Sequence, residues 1–166
     1  IFNPTDLSPA GDKKAVLKDV LFTGSAQKRQ VLEGFIASME SRALSQTMIE
    51  DITLVADEMF TNAVFNAPFV DQKTHKNANV SRQTMEVSFA ADKPGRLVLA
   101  ADETRIMIAC EDPYGSLNLN GYLAKIKATY DQGAAATMNF GSGGAGIGSY
   151  IIFNTGASLF VGVKQG

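Results

Sequence analysis

Residues 47–67 read TMIEDITLVADEMFTNAVFNA, and the period of this stretch decides how the rest of the chain is placed. Ile49, Ile52, Ala56, Met59, Phe60 and Ala63 recur at steps of three and four, the apolar stripe of a helix that packs on a sheet. Pro68 follows directly and ends the helix at residue 67. Glu58 and Asn62 stand four apart and so share a face. At about 100° per residue they fall at the border of the stripe, where a side chain looks into any pocket walled by helix and sheet. A carboxylate there can take a proton from an attacking group, and an amide oxygen is a hard ligand suited to Mg2+. Alone, the pair reads more simply as an acid and an amide on a solvated helix edge.

Outward from this helix, residues 15–22 (AVLKDVLF) are β-branched and apolar enough for a strand, stopped by Thr23-Gly24. Ser25 is placed to cap a helix that carries Val31, Leu32, Phe35, Ile36 and Met39 to about residue 40. Residues 71–83, with Lys73, His75, Lys76, Asn77 and Asn79, have no apolar period and are expected to form a mobile surface loop. Strands are expected over 85–90, 96–101 and 105–111, at spacings that favour an antiparallel meander. Residues 117–143 are expected to be only partly ordered, with a helix around 122–130. The last helix opens in a glycine cluster, runs through Ile147, Tyr150, Ile151, Ile152 and Phe153 and stops at Gly156, before a strand over 158–163. The order β-α-α, strands, α-β makes the fold class α+β: a two-layer α/β sandwich with a mixed, mostly antiparallel sheet and helices on one face. Residues 1–12 read as a flexible lead-in and 13–166 as a single domain.

Composition narrows the function classes. The 166 residues are 45% hydrophobic and 19% charged, enough for one ordinary core. A net charge of -2 leaves no extended basic surface to follow a phosphodiester backbone, so nucleic acid is not an expected partner. No run approaches the roughly 18 apolar residues of a membrane span, and no membrane partner is expected. Cys110 and His75 are the lone cysteine and histidine, which excludes an internal disulfide and a His/Cys metal cluster; the reading is cytoplasmic.

Two further stretches carry chemistry. Ile106-Met107-Ile108-Ala109-Cys110 reads as a buried strand, and Asp112 comes just past its end. A carboxylate there can accept a hydrogen bond from the exocyclic amine of adenine. Asp112-Pro113-Tyr114-Gly115 also has the residues of a type I turn. Glycines 141, 143, 144, 146 and 148 leave amides bare at the start of a helix, whose positive end attracts phosphate. Gly141 to Gly146 fits G-x-G-x-x-G, but no Asp or Glu occurs after Asp131 to take a ribose, and G-x-x-x-x-G-K-[ST] is absent.

In this order the three stretches resemble the N, G1 and G2 boxes of the histidine-kinase-like ATPases, the Bergerat ATP-binding fold of DNA gyrase, the Hsp90 chaperones and the sensor histidine kinases. The layout is most similar to the anti-sigma-factor serine kinases. The resemblance runs from about Ala15 to Val163 and implies ATP and Mg2+ as cofactors. It implies Glu58 as the catalytic glutamate, Asn62 as the magnesium-binding asparagine and Asp112 as the adenine-binding aspartate. Gly144, Gly146, Ile147 and Gly148 then cradle phosphate, Gly115 belongs to the nucleotide loop, residues 117–143 form the ATP lid, and Asn66 stands where the serine kinases often have histidine. The implied activity is phosphorylation of a small protein antagonist, with a sigma-factor-like regulator and a homodimer among the partners. A degenerate nucleotide-dependent binding module, a sensor-kinase catalytic domain and a ligand-free structural domain are the alternatives. Three departures are visible. Tyr114 and Ser116 replace glycines of the D-x-G-x-G pattern, and the lid offers only Lys125 and Lys127 as cations. The family also usually carries one more strand after this point, which fits a truncated piece.

Overall fold

The computed structural model describes residues 15–42, 44–67, 86–102, 104–117, 119–133, 148–156, 159 and 161. Strand β1 (Ala15–Phe22) leads through a 3-10 turn (Ser25–Gln27) into helix α1 (Lys28–Glu40). Helix α2 (Gln46–Thr61) follows and continues as a π-helical turn (Asn62–Asn66). Strands β2 (Gly95–Ala101) and β3 (Ile106–Glu111) precede helices α3 (Leu119–Gln132) and α4 (Gly148–Thr155). Among the described residues the sheet has three strands in the order β1-β2-β3, and both pairings are antiparallel. Helices α1 and α2 bury their stripes against it, giving the α+β class that the periodicities predict.

The core forms because strand alternation and helical period aim the same residue types at one layer. Leu97 and Leu99 of β2 point into it beside Phe22 of β1, and Ile106, Ile108 and Cys110 of β3 pack at its margin. From the helices come Val31, Phe35 and Met39, then Ile49, Ile52, Ala56, Phe60 and Ala63. Phe22 and Phe60 join the two layers with ring centroids 4.5 Å apart at 40°. A break in the register between Val16 and Lys18 lets both Leu17 and Val20 turn towards the core.

Several expectations change in detail. Ser25 does not cap α1; its Oγ accepts the Val87 amide at 3.0 Å, and Gln27 Oε1 takes the Thr23 amide at 2.6 Å. The 3-10 turn that Ser25 opens moves the start of α1 on to Lys28, so Gln27 and not Ser25 stands at its N-cap. The strand expected over 85–90 is not a full strand in its described part. Val87 and Phe89 are buried in alternation, yet the segment makes only the bridge Ser88 to Gly24. The stretch after Leu117, expected to be only partly ordered, carries the fourteen-residue α3, longer than the helix expected there, with Ile126 and Thr129 buried. The lead-in 1–12, the loop 71–83 and the glycines before Gly148 lie outside the described residues. Of the strand expected over 158–163 only Leu159 and Val161 are described, and neither is in a strand. No helix among the described residues is long and apolar enough to cross a membrane.

Candidate functional site

The site is built on the second half of α2. Ser45 starts that helix, its Oγ accepting the Met48 amide at 3.3 Å. One flank is fixed against α1: Lys28 Nζ lies 2.7 Å from Asp57 Oδ1 and donates to Thr61 Oγ1 at 3.1 Å. Asp57 and Thr61 are themselves four apart, so this clamp lies along one face of the helix, whose rotation is set by the burial of Ile49, Ile52, Ala56 and Phe60. Glu58 and Asn62, one residue further round, are thereby turned away from α1 and towards α4, which packs against α2.

Helix α2 does not stop cleanly. The Ala67 amide donates to Asn62 O at 3.1 Å, five residues back, so the chain widens by one residue in a π-helical turn from Asn62 to Asn66. Such turns gather at functional sites because the extra residue re-aims side chains that an α-helix would hold in line. Asn62 opens this turn and Asn66 closes it.

Two other segments converge on the same stretch. At the end of β3, Cys110 Sγ donates to Met59 O at 3.7 Å. Beyond it Ser116 Oγ donates to Ala67 O at 2.6 Å, tying the loop after Asp112 to the end of the π turn. Within that loop Asp112 Oδ1 accepts the amides of Tyr114 (2.8 Å) and Gly115 (3.3 Å). This Asx turn realises the turn reading of Asp112-Pro113-Tyr114-Gly115. Gly115 closes it at φ 60°, a left-handed conformation that suits glycine. Tyr114 packs edge-on to Phe89 with centroids 5.4 Å apart.

The third segment is the start of α4. A Cβ on Gly148 would land on Oε2 of Glu58 and 3.1 Å from its Cδ, so the carboxylate lies directly on the first residue of the helix. Of the sequence-derived candidates, Glu58 and Gly148 are in direct contact, Asn62 and Asn66 lie on the same stretch of helix as Glu58, and Asp112 and Gly115 belong to a loop tied to that stretch through Ser116 and Cys110. Gly144, Gly146 and Ile147 lie outside the described residues.

The electrostatics of the two ends differ. Burial beneath α2 pushes the Cys110 thiol up to about 12, and the carboxylates of Asp112 and Glu111 push the same way. That end of β3 is an acidic, acceptor-rich place. The first described residue of α4 lies against the Glu58 carboxylate, which complements the positive end of the helix dipole. The end of β3 thus suits a hydrogen-bond donor, and the start of α4 already faces a carboxylate. Sequence reasoning missed Lys28, Ser116 and Cys110 as parts of this arrangement. Ser116 was marked only as a missing glycine, and nothing in the sequence links it to Ala67, 49 positions away.

No protein-family model, curated protein or solved structure matches this chain.

Proposed function

We propose that the chain is a Mg-ATP-binding regulatory domain of the histidine-kinase-like ATPase type, acting as a serine/threonine protein kinase of the anti-sigma-factor kind on a small protein antagonist. One observation carries the reading. Glu58 and Asn62 lie on the helix stretch that the segment around Asp112 contacts through Cys110 and Ser116, and that Gly148 contacts through the Glu58 carboxylate. Gly148, the one described glycine of the third stretch, stands 90 positions from Glu58, and its contact with that carboxylate supports the reading.

In this reading the acceptor-rich end takes the adenine amine at Asp112, whose Oδ1 is engaged by loop amides. The start of α4 takes the anionic tail. Among the described residues no three His, Cys, Asp or Glu side chains gather to hold a metal ion. Magnesium would therefore draw most of its ligands from phosphate and water, with the Asn62 amide oxygen as the protein ligand, which is the usual habit of this ion. Glu58 accepts the proton of the attacking serine hydroxyl as its oxygen bonds the γ-phosphorus and ADP leaves.

Calorimetry with Mg-ATP on wild type and Glu58→Ala, followed by a phosphotransfer assay, tests the proposal. Retained binding with lost turnover in the variant is the expected result. Wild type that takes up ATP but neither hydrolyses nor transfers it would leave the degenerate, nucleotide-gated binding module. The Asx turn and the Tyr114 substitution in the G1 segment favour that second reading.

A further inference from the structure

Gly148 does not need to be glycine for its backbone. Its φ lies outside the left-handed region, and alanine would suit the first turn of α4 better. What a side chain there would meet is the far end of Glu58, whose Oε2 lies at the Cβ position, with Cδ at 3.1 Å and Oε1 at 3.8 Å, so the carboxylate has to swing aside to admit it. Both residues are half-buried, on helices that pack together.

Resting on the Mg-ATP reading above, we propose that Gly148 is a positioning residue for Glu58: its bare Cα leaves the space in which the carboxylate rests at the edge of α2. A side chain at 148 displaces the base from its line while leaving nucleotide uptake intact. This differs from the role the resemblance implies, in which the glycine serves the phosphates through its amide. The two roles separate in experiment, since a phosphate cradle acts on affinity and a seat for the base acts on turnover.

Four full-length proteins decide the matter: wild type, Gly148→Ala, Glu58→Asp and the double variant. Aspartate withdraws the carboxylate by one methylene and vacates the Cβ position. In thermal unfolding without nucleotide, the shift in melting temperature caused by Gly148→Ala is expected to differ between the wild-type and Glu58→Asp backgrounds, more favourable in the latter, the non-additivity of residues in contact. With Mg-ATP, Gly148→Ala is expected to keep its Kd within about threefold while turnover falls roughly tenfold or more. The double variant should then turn over at least as fast as Gly148→Ala alone.

Additive melting shifts would overturn the proposal, as would a loss of affinity that keeps pace with the loss of turnover. If Gly148→Ala alone fails to fold, a folded double variant is itself the coupled result, and an unfolded one overturns it. Coupled shifts in a wild type that takes up no nucleotide would sink the Mg-ATP reading and the proposed role in turnover with it. Normal nucleotide binding with uncoupled shifts sinks only the role of Gly148.

Discussion

Gly95 stands opposite Phe22 in the β1–β2 ladder, and the Phe22 ring fills the place a side chain would take, with Cε2 2.5 Å from a Cβ built there. Phe22 is fully buried and packed on Phe60, so the ring has nowhere to go. Gly95→Ala is expected to destabilise the protein by about 1–3 kcal/mol, the usual cost of overpacking, read as a lower urea midpoint at unchanged slope. An unshifted midpoint would show that the ring yields freely. Cys110 gives a prediction in pH. Its thiol is pushed up to about 12 in the fold against an ordinary 9.0, so between those values the unfolded chain gives up the proton and the folded chain keeps it. The contribution is whole below about pH 9 and is lost as pH rises towards 12, with a limiting slope of about 1.4 kcal/mol per pH unit. Denaturant midpoints from pH 8 to 11 should fall more steeply for wild type than for Cys110→Ala, and parallel profiles would show that the thiol is not held neutral. Cys110 could be read from sequence as a buried strand residue. Its proximity to Met59 O could not, because periodicity assigns a face and not a neighbour.

At the level of elements, the sequence was most informative where one force dominates. The stripe of α2 and the bounds of β1 follow from period and punctuation, since burial against a single layer leaves little choice of which residues face inward. Residues 85–90 show the same alternation, with Val87 and Phe89 inside, but a strand also needs a partner. Local pattern says nothing of how many backbone bonds a distant segment will supply. The π turn was invisible for a related reason: Asn62–Asn66 continues the helical period closely enough that only the Ala67 amide bonding five residues back reveals it. Ser116 is the part of the site most open to test at this scale. Its hydroxyl tethers the Asp112 loop to the end of the turn, at 2.6 Å. Ser116→Ala should cost about 0.5–1.5 kcal/mol in urea unfolding and weaken Mg-ATP binding severalfold by loosening the loop. Unchanged affinity would mean that the loop is placed by Phe89 and Tyr114 alone. The exposed pair Arg96–Asp19, bidentate at 2.9 and 2.7 Å, makes a useful contrast. Its charges are partly solvated and Arg96→Ala should cost under about 1 kcal/mol, falling further in salt.

Across the whole molecule, the order of the candidate stretches was legible in the sequence, whereas the contacts that bring the Asp112 loop and Gly148 to α2 were not, and neither was the grip of Lys28 on Asp57 and Thr61 that pins the flank of that helix. Such a clamp joins residues 33 positions apart through a flexible lysine, which no local pattern encodes. The result is a site with polarity: carboxylates at the end of β3, amides at the start of α4, and α2 as the spine between them. A nucleotide that spans such a site stabilises the folded chain by mass action, about 2.7 kcal/mol at a hundredfold excess over Kd. Mg-ATP is therefore expected to raise the melting temperature of wild type and of Glu58→Ala alike, because the proton acceptor is not needed for uptake. Asp112→Asn should lose most of the shift: the variant keeps an acceptor oxygen for the loop amides but brings an amide nitrogen to face the adenine amine. Mg-GTP should shift wild type less than Mg-ATP, since its exocyclic oxygen meets a carboxylate. Equal shifts from the two nucleotides, or an Asp112→Asn protein as responsive as wild type, would place the base somewhere other than the end of β3 and remove the selectivity on which the proposed kinase depends.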